Sequence, residues 1–123
     1  MRLHLQRDTE SNQLSAYGQG YFVVNDRRIN SSIVIGPRHL DPHWSITSVS
    51  QLQEEDLLGV FELRPKVAIL GSGARHEFPG TPVMAAFEQT GIGLEVMSTG
   101  AACRTYNVLL SEGRDVVAML VLI

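Results

Sequence analysis

Three short apolar runs in the second half of the chain, Val67 to Leu70, Leu94 to Met97 and Val116 to Leu122, leave few folds open to it. Two helix-patterned segments separate them. Thr81-Pro82 supplies an N-cap and a first-turn proline for a helix through Thr90 that Gly91 stops, and Ala101 to Glu112 reads as a second helix ended by Gly113. Val83 and Phe87 lie one turn apart on the first helix, and Ala102, Tyr106, Leu109 and Leu110 share a face of the second. Strands joined through helices by short connections need crossovers, so all three are expected to run parallel under covering helices. Their runs are too continuously apolar for one wet face, which predicts three central strands.

The first half is strand-rich and less regular. In "GYFVVNDRRINSSIVIGP" two apolar runs flank a polar Asn25-Asp26 turn, a hairpin pattern, and Pro37 ends the second strand. Arg38 to Ser50 is polar and broken by Pro42, so it reads as a surface loop anchored by Trp44, whose indole is expected in the core. In "SQLQEEDLLGVFEL" Ser50 and Gln53 are spaced as a capping box. Glu54, Glu55 and Asp56 then sit where a helix N-terminus favours negative charge, on a solvated face. A chain of 123 residues suffices for one compact domain, residues 1–123, and no repeat or low-complexity tract divides it.

Charge and cysteine usage close several function classes. The net charge is −3 and the ten basic residues are scattered, so no stripe exists for a phosphate backbone and nucleic acid is not an expected partner. The single cysteine, Cys103, excludes an intrachain disulfide and a cysteine-built metal site, and it fits the reducing cytoplasm. "MRLHLQRD" at the start lacks the apolar core of a secretory signal and the acid-free helix of an organelle presequence. The longest apolar run, Val116 to Ile123, is too short for membrane insertion.

Candidate chemistry concentrates in "VAILGSGARHEFPG". Gly71 and Gly73 open a turn like that of a dinucleotide fingerprint, but the third glycine position holds His76. A phosphate loop fails as well, because Lys66, the only lysine, precedes the strand. Ser72 is no nucleophile elbow, since the helix begins roughly ten residues later. No cofactor and no catalytic residue follow from the stretch. What remains is an edge: the loops Gly71 to Gly80 and Ser98 to Gly100 leave the carboxyl ends of neighbouring strands and are expected to face one cleft. The free amides of the helix starting near Ala101, with Arg75 and Arg104, suit a small anion or carboxylate there. The cleft candidates are Ser72, Gly73, Arg75, His76, Thr99, Cys103 and Arg104. Cys103 in the first turn of that helix, beside Arg104 and with His76 as a base, has the setting of a reactive thiolate. Against that, its small apolar neighbours Ala101 and Ala102 predict a buried, unreactive thiol. His39 and His43 have the spacing of a helical metal pair, but Pro42 breaks the helix and only Asp41 stands near, so no metal is expected.

The stretches "LGSGARHEFP", "GIGLEVMSTGAACRTYNVLLSEGRDV" and "YGQGYFVVNDRRINSSIVIGP" together resemble a small α/β family of unknown biochemical role. Its members include the mitochondrial respiratory complex I protein called NADH dehydrogenase assembly factor 3, an adipogenesis-associated cytosolic protein, and stand-alone bacterial and archaeal chains, which this one looks like. The resemblance implies a three-layer α/β domain with a mixed central sheet, an N-terminal β-hairpin and a C-terminal β-α-β-α-β unit. It implies no established enzyme activity in the family, and for the mitochondrial member a non-catalytic role in assembling a membrane-bound oxidoreductase by binding other proteins. The family's motif positions fall here on Gly71, Gly73, Pro79, Thr99, Ala102, Arg104, Asn107 and Arg114. Gly71 and Gly73 would permit positive backbone angles, Pro79 would stiffen a loop, and Ala102 would let helix and sheet approach. Asn107, a poor helix former in mid-helix, is expected to bond a loop backbone and to tie down the loop Gly71 to Gly80. The first expectation is a cytoplasmic, non-enzymatic accessory module whose partner is another protein. Its rival is a small-molecule binder or modest enzyme that uses the cleft.

Overall fold

The computed structural model describes residues 11–123, so the reading of Met1 to Asp8 as free of a targeting signal lies outside the described residues. Strands β1 (Leu14–Gly18), β2 (Tyr21–Val24) and β3 (Arg27–Ile29) pair antiparallel in that order. The β2–β3 turn is made by Asn25 and Asp26 at φ 45 and 74, the two left-handed positions of a tight hairpin turn that short polar side chains tolerate. The second apolar run does not complete this hairpin. Ser32–Gly36 is instead β4 of a larger sheet, buried along its whole length, because a strand apolar on both faces needs a layer on each side.

The segment read as a surface loop is also a strand in part. β5 (His39–Trp44) pairs antiparallel with β4, and it accommodates Pro42 because it is an edge strand with an irregular register between Ser32 and Val34 of its partner. Trp44 is buried, as expected. Two 3-10 turns, Val49–Gln51 and Glu54–Leu57, then lead into α1 (Leu58–Leu63). The reciprocal cap is set by Ser48 and Gln51, not by Ser50 and Gln53: Ser50 N donates to Ser48 Oγ at 3.3 Å and Ser48 N to Gln51 Oε1 at 3.2 Å. Glu54, Glu55 and Asp56 do occupy a first turn.

The C-terminal unit is β6 (Val67–Gly71), α2 (Thr81–Thr90), β7 (Gly93–Met97), α3 (Thr99–Ser111) and β8 (Val116–Leu120). Gly80, not Thr81, is the N-cap of α2, while Gly91 and Gly113 follow the two helices at φ 76 and 74 as expected. The large sheet has the order β5-β4-β8-β6-β7, with β6 parallel to both β7 and β8 and β4 antiparallel to β8. The chain steps outward from β6 to β7 and then back across β6 to β8. With crossovers of one hand, that reversal sends α2 and α3 to opposite faces. The cores agree: Ala68, Leu70, Val117 and Met119 pack with Val83 and Phe87 of α2, while Ile69, Val116, Ala118 and Leu120 pack with Ala102, Cys103 and Tyr106 of α3. The small sheet shares the α3 side through Leu14, Phe22, Val24 and Ile29, which gives three layers. β7 is an edge strand and not a central one, as its exposed Gly93 and Glu95 reflect.

Candidate functional site

Connections leave parallel strands at their carboxyl ends, and a crevice opens where neighbouring connections depart to opposite faces. In this fold that point lies between β6 and β7, and the two loops close it. Gly73 N donates to Thr99 Oγ1 at 2.8 Å, and Thr99 N donates to Gly73 O at 2.9 Å. Ser72 N donates to Met97 O at 2.8 Å, and His76 Nε2 lies 3.1 Å from Val96 O on the outer edge of β7. The Ser72 hydroxyl lies 2.6 Å from Arg75 O and 3.1 Å from Met97 O, its donor targets, and accepts from Glu77 N at 2.9 Å. A hydroxyl so engaged is a loop clamp and not a nucleophile.

Open space lies beside the closed crevice. A cleft of about 640 Å³ runs between the loop 72–77, Thr47 and Ser48, and residues 121–123. Ser72, Gly73, Arg75 and His76 line it; Thr99, Cys103 and Arg104 do not. Thr99 is wholly buried, and its hydroxyl donates to Val121 O at 2.7 Å while accepting from Gly73. Arg104 turns toward the small sheet, where its Nη1 donates to Tyr17 Oη at 2.6 Å. Among the amides that open α3, those of Thr99, Ala101 and Ala102 have partners within the fold. Ser98 Oγ accepts from Ala101 N at 3.4 Å and Ser98 O from Ala102 N at 2.9 Å, so these amides are not offered to a ligand.

Cys103 is the fifth residue of α3, past the first turn, and is wholly buried against the sheet. Burial pushes its thiol up to about 12, against a smaller lowering by Arg104. The native thiol therefore keeps its proton to a higher pH than the unfolded one, whose ordinary value is near 9.0. Its contribution to stability is intact below that value and falls away as pH rises toward 12, by up to about 1.4 kcal/mol per pH unit. Tyr106, also raised by burial, adds in the same direction at higher pH. Cys103 is expected to resist thiol reagents at pH 8 until the chain unfolds. Denaturation at stepped alkaline pH should show a shallower loss for Cys103→Ala, and equal slopes would count against this account.

The motif positions have structural duties. Gly73 has φ 109, and a Cβ there would make only an ordinary contact with Val121 Cγ1 at 3.9 Å, so backbone angle explains the glycine. Gly71 is different: it lies inside β6, and a Cβ there would meet Thr99 Cα at 3.0 Å, Leu120 Cδ2 at 3.0 Å and Ala102 Cβ at 3.1 Å. Close approach of α3, to which the small Ala102 contributes, is the reason for Gly71. Asn107 bonds backbone, but that of β1 and not that of the loop 71–80: its Oδ1 accepts from Leu14 N at 3.1 Å and its Nδ2 donates to Leu14 O at 2.7 Å. With Tyr106 Oη donating to Asn12 O at 2.7 Å, it straps the small sheet onto α3. Pro79 is buried in its loop, and Arg114 makes an exposed 3.8 Å ion pair with Glu112.

One residue that pattern reading passed over stands out at this edge. Phe78 is 63% exposed, yet its ring is held edge-on to His76 with centroids 4.6 Å apart. The available signal was an aromatic side chain between Glu77 and Pro79 in an otherwise polar loop.

A family model described as "Protein of unknown function (DUF498/DUF598)" matches residues 14–121, from β1 through the residue after β8. This chain belongs to the DUF498/DUF598 family. A human protein named NADH dehydrogenase [ubiquinone] 1 alpha subcomplex assembly factor 3 is 33% identical over 124 residues, covering 95% of this chain and 65% of the human protein. The chain thus spans just under two thirds of that relative. An NMR structure of a Xanthomonas campestris protein superposes with a TM-score of 0.82 at 41% identity, over 91% of this chain and 85% of that one. A crystal structure described as an outer membrane protein from Bartonella henselae gives 0.84 at 30% identity, over 93% and 97%. DUF498/DUF598 relatives therefore include proteins named for assembly and for a membrane. Among the described residues of this member no helix is long and apolar enough to cross a membrane.

Proposed function

We propose that this protein is a non-catalytic accessory module of the cytoplasm, acting in the manner of an assembly factor, that docks on a partner protein through the loop 74–78 with Phe78 as anchor. The observation that carries the reading is Phe78 itself, an exposed ring on a loop whose root is pinned by Ser72 and whose neighbour His76 is bonded to β7. An aromatic side chain held in place before binding loses little freedom on docking, which is the usual character of an interface anchor. Similarity to assembly factors supports the same role. So does the engagement of Ser72, Thr99 and Cys103 in packing and backbone bonds, which removes three of the polar groups that chemistry in the cleft would need.

A photo-crosslinking amino acid at position 78, expressed in the native host, is expected to give one discrete adduct that the same probe at Val108, on the opposite layer, does not. Phe78→Ala should weaken binding of that adduct's protein at least about fivefold, since a truncated anchor typically costs more than 1 kcal/mol. Its Tm should stay within about 2 °C of the parent, because an exposed ring contributes little to folding. Identical crosslinks at both positions would remove the loop from the interface. A second reading, a small anion in the cleft, is favoured by Arg75 and His76 in its lining. A saturable thermal shift with sulfate that Arg75→Gln abolishes would move the site to that reading.

A further inference from the structure

The opposite end of the sheet, where β6 and β7 begin, holds a second groove of about 610 Å³ between the C-termini of α1 and α2. Its volume lies within the range of small-molecule sites, about 300–1,000 Å³. Phe61, Pro65 and Ile92 give it an apolar side, and the Phe61 ring is fixed by Phe87 at 5.1 Å and 79°. Arg64 and Lys66 give it a charged side. Neither is paired with a carboxylate: among the described residues the one ion pair is Arg114 with Glu112. Helix ends carry at most about half a negative charge each, and α1 is only six residues long, so two full cations leave the groove net positive.

Arg64 also sits in an unusual backbone state. It closes α1 at φ 49, a left-handed conformation that the chain assigns to glycine after α2 and α3, at Gly91 and Gly113. Glycine would be the easier residue at this position, so the guanidinium is present against the local backbone preference. We propose that this groove binds a small amphipathic carboxylate, with its head between Arg64 and Lys66 and a short aromatic or aliphatic body on Phe61, Pro65 and Ile92. The site is independent of the docking loop, which lies at the other edge of the sheet.

Titration of the ¹⁵N-labelled protein with 1-naphthoate, and separately with the neutral 1-naphthamide, tests this. Naphthoate should give saturable amide shifts centred on residues 61–66 and 90–92, with 1-naphthamide binding at least about fivefold more weakly for want of the charge-assisted contacts. Arg64→Gly should fold at least as well as the parent, because glycine adopts φ 49 freely, and should weaken naphthoate about fivefold; Lys66→Gln should do likewise. Equal affinity for acid and amide, shifts centred elsewhere, or both variants binding as the parent does would overturn the assignment.

Discussion

Gly71→Ala is expected to destabilise the protein by about 3 kcal/mol and to lower Tm by roughly 12 °C. The backbone of Gly71 is ordinary extended strand, so strain in φ plays no part. The cost comes from space, because a methyl group would stand 3.0 Å from Thr99 Cα and 3.1 Å from Ala102 Cβ. Leu120 can adjust its side chain, but Thr99 offers main chain, which moves only if α3 lifts from the sheet. Lifting α3 would also loosen Cys103 and Tyr106, both wholly buried under it. Urea denaturation of the variant checks the size of the effect. A Tm within about 2 °C of the parent would mean that α3 sits less tightly on β6 than the geometry requires.

The second large effect is expected from Thr99→Val, a change of nearly constant shape. It should cost about 3 kcal/mol, because it strands two buried backbone groups at once, the Gly73 amide and the Val121 carbonyl. Thr99→Ser is the informative comparison. It keeps the hydroxyl and loses one methyl, which is worth only about 1 kcal/mol. The expected order of stability is parent, then serine, then valine, and a valine variant as stable as the serine one would show that packing and not hydrogen bonding matters at Thr99. The consequence reaches the candidate site, since the Thr99 hydroxyl joins the β6 loop to residue 121, and both line the cleft.

Local pattern made some residues easy to read and others opaque. The tight turn at Asn25-Asp26, the stop at Gly91 and the buried Trp44 follow from short-range rules of backbone freedom and burial, and all three stand in the structure. Asn107 was legible as a residue that bonds backbone, yet its target was not, because Leu14 is 93 positions away. The same limit explains the cleft. Thr99, Cys103 and Arg104 are close in sequence to the expected edge, but helical rotation turns Cys103 under the sheet and Arg104 toward Tyr17.

By itself the sequence determined the β-α-β-α-β unit, since two helix-length amphipathic segments between apolar runs admit parallel strands and little else. It also determined that the Gly71–Gly73 turn lacks the residues of a nucleotide loop. Tertiary structure decided the strand order, and with it the edge position of β7, the placement of α2 and α3 on opposite faces and the transfer of Ser32–Gly36 from the hairpin to the large sheet. It decided too that the switch-point crevice is closed and the open cleft lies beside it. The physical reason is common to these cases. Hydrophobic periodicity reports which face of an element is dry, whereas the neighbour that makes it dry is set by long-range pairing, whose energy depends on residues far apart in the chain.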